Sequence, residues 1–160
     1  MGLMRTVSLL LAVAAVASVA AGCGSKGERL SQAAFVSRAN SICAKYEKRV
    51  RNRMAEISAG NEAQLASSIE EVLPVIRQGN DELRSLKPPA TLQDSFNRWM
   101  GIADAEVAAA KKLQGALRKK DMAATQAAFA QLQTKDAAQD RLARQDLGLN
   151  GCASGASASR

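Results

Sequence analysis

Between Ser31 and Gly148 the apolar residues return every three or four positions, in four runs separated by short breakers. That period belongs to an amphipathic α-helix, not to the alternation of a strand. The first run covers 31–59, from Ser31 as N-cap to a stop at Gly60, with Phe35, Ala39, Ile42, Tyr46, Val50, Met54 and Ile57 on one face. The second, 62–86, follows Asn61, with Gln64 in the capping-box position, and ends before Pro88-Pro89. Its Leu65, Ile69, Val72, Ile76, Gly79, Leu83 and Leu86 keep the four-three rhythm of a bundle seam. The third, 91–119, carries Leu92, Phe96, Trp99, Ala103, Val107, Ala110, Leu113 and Leu117. The fourth, 122–147, is capped by Asp121 and carries Met122, Phe129, Leu132 and Leu142 to a stop at Gly148, with weak patterning from Asp136 to Arg144.

Helices of this length run to about 40 Å at about 1.5 Å per residue. Short connections make successive helices antiparallel neighbours, so the expected fold is all-α, an up-down-up-down four-helix bundle. The only aromatics are Phe35, Tyr46, Phe96, Trp99 and Phe129, so the core is thin and filled mainly by Ala, Leu, Ile and Val. Pro74 removes one hydrogen bond from the second helix. A kink that fits the helix around its neighbours is the plain reading; a hinge or ligand notch is the functional one.

Ahead of the helices, Arg5 precedes an apolar run from Val7 to Ala21 that ends in Val19-Ala20-Ala21-Gly22-Cys23. This segment resembles the lipobox of bacterial lipoproteins. The resemblance implies that Met1–Gly22 is a cleaved signal peptide and that Cys23 carries diacylglyceryl and acyl groups such as palmitate. Residues 23–30 are then a lipidated tether, 31–152 the helical domain and 153–160 a disordered tail. The protein is expected outside the cytoplasm, anchored by lipid to the cell membrane. In a two-membrane organism, Gly24 does not favour inner-membrane retention, and the outer membrane is then open to it. A plain signal peptide or an uncleaved anchor is the alternative, since the 17 residues from Thr6 to Gly22 sit at the lower limit for a span.

With Cys23 taken by lipid, Cys43 and Cys152 remain as an even pair in an oxidising compartment, and a structural disulfide is expected. Catalytic thiols would lack any histidine to activate them, and no second His or Cys lies near either position to build a metal site. The bridge sets a geometric condition. Cys43 lies roughly 18 Å along its helix from Ser31, whereas Gly148–Cys152 spans at most about 17 Å. Either the tail folds back along the first helix or that helix overhangs the bundle.

Four short stretches occur in order: Leu30-Ser31-Gln32-Ala33-Ala34-Phe35, Ala39-Asn40-Ser41-Ile42-Cys43, Leu86-Lys87-Pro88-Pro89-Ala90 and Leu147-Gly148-Leu149-Asn150-Gly151-Cys152. Together they resemble a group of small exported lipoproteins of high-GC actinobacteria, in which an early helical cysteine pairs with one near the C-terminus. The resemblance implies fold, disulfide and location, and supplies no chemistry.

Chemistry is sparse in the chain itself. It has no histidine, no Gly-rich phosphate loop, no nucleophile elbow and no haem or zinc motif, so no catalytic, cofactor or metal residue is assigned and an enzyme is not expected. Acidic residues recur as Glu70-Glu71, Asp81-Glu82 and Asp104/Glu106, and three have helix-face partners: Glu47 with Arg51, Asp94 with Arg98, Asp140 with Arg144.

Removing Met1–Gly22 takes only Arg5 from 22 basic side chains, leaving 21 against 15 acidic ones. Lys45, Lys48, Arg49, Arg51 and Arg53 crowd the first helix; Lys111, Lys112, Arg118, Lys119 and Lys120 crowd the end of the third, where cations complement the helix dipole. Two readings follow. The first is a non-catalytic envelope module using the basic face of helix one against anionic lipid, wall polymer or an envelope protein. The second is a bundle with a small-ligand cavity near Pro74, Gly79 and Trp99. Nucleic acid is not an expected partner, and oligomeric state is not readable from the sequence.

Overall fold

The computed structural model describes residues 28–55 and 62–153. The expected signal peptide, Cys23 with most of the expected tether, Ile57, the expected stop at Gly60, Asn61 and residues 154–160 lie outside the described residues. The protein is a four-helix bundle: α1 (Gln32–Ala55), α2 (Glu62–Arg84), α3 (Gln93–Arg118) and α4 (Met122–Arg141). A 3-10 turn at Ala90–Leu92 leads into α3, and a π-helical turn at Leu142–Asp146 and a 3-10 turn at Asn150–Cys152 follow α4. Among the described residues there is no strand, and no helix is long and apolar enough to cross a membrane.

The helix ends follow from local chemistry. The Ser31 hydroxyl accepts from the Ala34 amide at 3.3 Å and the Asp121 carboxylate from the Ala124 amide at 3.0 Å, so both expected N-caps form. α2 stops at Arg84 rather than Leu86. The Leu86 amide turns to the Leu83 carbonyl, and Lys87, ahead of Pro88, is biased away from helical backbone. α2 runs unbroken through Pro74, which is exposed. At the end of α3, Lys120 has φ 54°, the Lys120 amide bonds the Leu117 carbonyl and the Asp121 amide bonds the Ala116 carbonyl. That is a Schellman cap built on lysine instead of glycine.

α4 departs most from expectation. The α-helix ends at Arg141, and the chain widens into the π-turn, where the Leu147 amide bonds the Leu142 carbonyl. Gly148 at φ 69° then lets the chain reverse, sending Leu147 and Leu149 into the core. Met122 and Phe129, expected on the inner face, are 55% and 43% exposed, and α4 buries Thr125 and Ala128 instead. Alanine and threonine let α4 approach α3 closely, leaving the larger side chains about a quarter turn outward. Met54 of α1 is likewise exposed.

Packing divides the interior in two. One core gathers Phe35, Ile42, Tyr46, Leu83, Phe96, Trp99, Met100, Leu147 and Leu149. In it Phe35 meets Phe96 edge-on at 5.4 Å. The other core, at the opposite end, holds Ala66, Leu113, Leu117 and Ala128. Both ends of the described chain reach the larger core, through Leu30 and Cys152. The Leu30 amide bonds the Lys87 carbonyl at 2.8 Å, and the Arg29 guanidinium donates to the Pro88 carbonyl and to Gln93. Arg29 and Leu30, assigned to a tether from sequence, are therefore docked, and Ala153, assigned to the tail from sequence, is buried.

Candidate functional site

Beside the larger core, on the side that faces the smaller one, lies an open pocket of about 240 Å³ to which every helix contributes. α1 supplies Ile42, Cys43, Tyr46, Glu47 and Val50. α2 supplies Ile76, Gly79, Asn80 and Leu83. Trp99 and Glu106 come from α3, Gln139 from α4, and Gly151 to Ala153 from the C-terminal turn. A second cavity of about 330 Å³ adjoins it and shares Ile76 and Glu106. Of the three residues expected to mark a cavity, Gly79 and Trp99 line it; Pro74 does not.

Gly79 is a steric requirement. A Cβ there would sit 2.9 Å from Tyr46 Cγ and 3.3 Å from Tyr46 Cβ. The missing side chain lets the tyrosine ring lie on the α2 backbone, where its hydroxyl donates to Glu82 at 2.8 Å. The Glu82 carboxylate also accepts from Lys45 at 2.6 Å. These two hydrogen bonds, Lys45 first, hold the Glu82 carboxyl below its ordinary range, and the bond to Glu82 raises the Lys45 ammonium.

Two of the lining residues carry notable polar groups. Trp99 is 2% exposed, and its indole N–H, buried away from the open volume of the pocket, finds no acceptor among the described residues. A buried donor without a partner carries a free-energy cost of about 1–3 kcal/mol. Glu106 is half-buried, and its carboxyl is pushed up to about 7, chiefly by burial, then by the charges of Asp136 and Asp140, with Lys135 pulling the other way. In the amide orientation that satisfies both groups, Gln139 donates to the Glu106 oxygens at 2.7 and 3.0 Å. Among the described residues, no lysine or arginine lines the cavity. The walls are apolar, with donors and acceptors at few points, which is the general make-up of a small-molecule site.

The basic residues of α1 are spent differently from the sequence expectation. Lys45 pairs with Glu82, Arg51 with Glu47 at 2.5 Å and Arg53 with Glu71 at 3.7 Å. Arg49 donates to Gln78 and lies 5.1 Å from the Tyr46 ring centre. Only Lys48 of the five has no ion pair or side-chain hydrogen bond among the described residues. In the α3 cluster Arg118 pairs with Glu70. Of the anticipated helix-face pairs, Glu47 with Arg51 forms, while Arg98 reaches Asp146 at 3.5 Å and the Ser95 hydroxyl.

Cys43 and Cys152 form the expected disulfide, with Cα atoms 5.1 Å apart. Of the two arrangements the bridge allowed, the tail folds back along α1: the Gly151 amide donates to Asn40 Oδ1 at 2.9 Å, and Asn40 lies 3.0 Å from where a Gly151 Cβ would stand. The bridge thus forms part of the cavity wall.

Sequence reasoning missed Glu106, Gln139, Asn80 and Glu47 as wall residues. One signal was available. Glu106 lies seven residues after Trp99 and so near the same face of α3, a carboxylate beside the apolar stripe. The sequence matches no protein-family model, and neither curated proteins nor solved structures show significant similarity to it.

Proposed function

We propose that this chain is a lipid-anchored bacterial envelope protein whose helical domain binds, without turning over, a small and mainly apolar molecule in the cavity beside its larger core. The observation that carries the reading is a largely apolar pocket of about 240 Å³, lined by residues from all four helices and by Trp99. The lipid anchor rests on the lipobox-like ending at Cys23, and export agrees with a Cys43–Cys152 bridge. The non-catalytic reading rests on the lack of histidine and of any recognisable nucleophile motif.

A basic docking face on α1 draws less support, because four of its five cations are already engaged with partners inside the protein. Exposed pairs of that kind are screened and weak, but they lower the net field a surface would feel.

Trp99 is the sole tryptophan, so its emission reports on the cavity directly. Titration of the full chain with hexan-1-ol is expected to give a saturable emission change that Ile76→Phe, which fills the wall, abolishes. A linear, non-saturating response equal in both proteins would refute the cavity reading. The address is tested separately by intact mass. The expected species is Cys23–Arg160 plus lipid, with two thiols alkylated only after reduction.

A further inference from the structure

We infer that the two adjoining pockets form one trough for an unbranched alkyl chain of about 12 carbons, the tail of a single-chain lipid. The inference rests on the cavity reading above and gives it a ligand class. Ile76 and Glu106 line both pockets, so the walls of one run into the walls of the other. Their order along the helices describes a line and not a cluster. From the first pocket to the second, the lining moves along α2 from Leu83 to Ile76, along α3 from Trp99 to Ala110 and along α4 from Gln139 to Leu132. α2 and α4 run antiparallel to α3, so all three series advance the same way. They start at the disulfide, which lines the first pocket, and finish at Leu132, which packs on the smaller core.

The trough exists because one seam of the bundle is left open. α1 packs on α2 and on the C-terminal turn, α2 on α3, and α3 on α4. Among the described residues α1 and α4 have no comparable packing, and none of α1 lines the second pocket. Ile76, Val107, Ala110 and Leu132 therefore meet there from three helices with nothing laid across them, and all four are only half-buried. Gln133 and Asp136 of the same wall are exposed, at its water side. An apolar chain lying in the seam would cover the four side chains while leaving the polar pair solvated.

Length sets the size of the chain. Trp99 and Ala110 are eleven residues apart on α3, about 16 Å at about 1.5 Å per residue. An extended alkyl chain with C–C bonds of about 1.5 Å advances about 1.25 Å per carbon, so about 12 carbons fill that length. The first pocket alone reaches from Trp99 to Glu106, about 10 Å, or about eight carbons. A ligand confined to it gains nothing from a longer chain, whereas a ligand in the trough does.

The test uses the full chain with hexan-1-ol, octan-1-ol, decan-1-ol and dodecan-1-ol below their solubility limits, followed by calorimetry and Trp99 emission. Full burial of a methylene strengthens binding by about fourfold, and half-burial by about twofold. Affinity is therefore expected to climb at every step, with dodecan-1-ol at least about tenfold tighter than octan-1-ol at one molecule per chain. Ala110→Phe, which puts a ring into the second pocket, should cut that ratio to about threefold or less. The wild-type series stands even if this variant fails to fold. Dodecanoate and 1-dodecanoyl-lysophosphatidylcholine, below their micellar concentrations, are then tested as competitors of dodecan-1-ol. Competition by either supports a lipid tail and tells a free acid from an esterified one; competition by neither overturns that assignment. A wild-type series that levels off at octan-1-ol, or a folded Ala110→Phe protein that keeps the full ratio, overturns the trough and leaves the cavity reading intact. Absence of saturable binding for every probe overturns both.

Discussion

Gly79 offers a substitution whose sign separates two physical effects. Replacing glycine by alanine inside a helix ordinarily stabilises it by about 0.8–1.0 kcal/mol. At position 79 the new Cβ lands 2.9 Å from Tyr46 Cγ, 3.2 Å from Cδ2 and 3.3 Å from Cβ. These atoms include the root of the ring, so relief requires moving the whole tyrosine. Its hydroxyl is bonded to Glu82, its face is covered by Arg49 and the side chain is 7% exposed. Overpacking against a held neighbour costs about 1–3 kcal/mol. The net expectation is that Gly79→Ala destabilises by about 1 kcal/mol. In a Tyr46→Ala background the clash disappears, and the same change should stabilise by the ordinary helix term, for a coupling of about 2 kcal/mol. Urea unfolding followed by far-ultraviolet circular dichroism, with the disulfide intact, resolves this. At a slope of about 2 kcal/mol/M, a loss of about 1 kcal/mol lowers the midpoint by about 0.5 M. A Gly79→Ala protein more stable than wild type by about 1 kcal/mol would show that Tyr46 gives way freely, and the steric account of Gly79 would be wrong.

Three further expectations follow. Replacing both Cys43 and Cys152 by serine opens a loop of sequence separation 109 and should cost up to about 4.8 kcal/mol in the chain-entropy model; urea midpoints with and without reductant measure it, and equal midpoints would contradict it. Lys120→Gly relieves a left-handed backbone at φ 54° and should stabilise by about 1 kcal/mol, read as a raised thermal midpoint. The Glu106 carboxyl titrates near 7 in the folded protein and at its ordinary, lower value when unfolded, so the native state binds the extra proton between these values and stability falls as pH rises through that window. Glu106→Gln should flatten this decline, and its midpoint relative to wild type should be higher at pH 8 than at pH 5.

Much of the fold was legible because it is local. The caps at Ser31 and Asp121, the break at Pro88-Pro89 and the stripes of α1, α2 and α3 depend on residues within one or two turns. The bridge was legible from cysteine count and compartment. α4 was misread because hydrophobicity there is carried by Met122 and Phe129, whereas close approach to α3 is set by small residues such as Ala128 that barely weigh in any pattern. The π-turn at Leu142–Asp146 has no sequence signature comparable to a cap. The basic stripe of α1 looked available because its partners Gln78, Glu82 and Glu71 lie on another helix, and such pairings exist only after folding. Glu106 was visible as a residue, but what makes it unusual is an apolar wall assembled from all four helices.

The division of the interior also sets how the molecule comes apart. The larger core is closed by a covalent link and by both ends of the described chain, whereas the smaller buries only two leucines and two alanines, with Leu65, Ile69 and Leu132 half-buried around them. Amides around Leu113 and Ala128 should therefore exchange with solvent through a cheaper, partial opening than those around Phe96 and Trp99, giving two tiers of protection instead of one. A molecule wedged between the halves would act as a splint, drawing the weaker tier toward the stronger and turning occupancy at the centre into rigidity at the far tip.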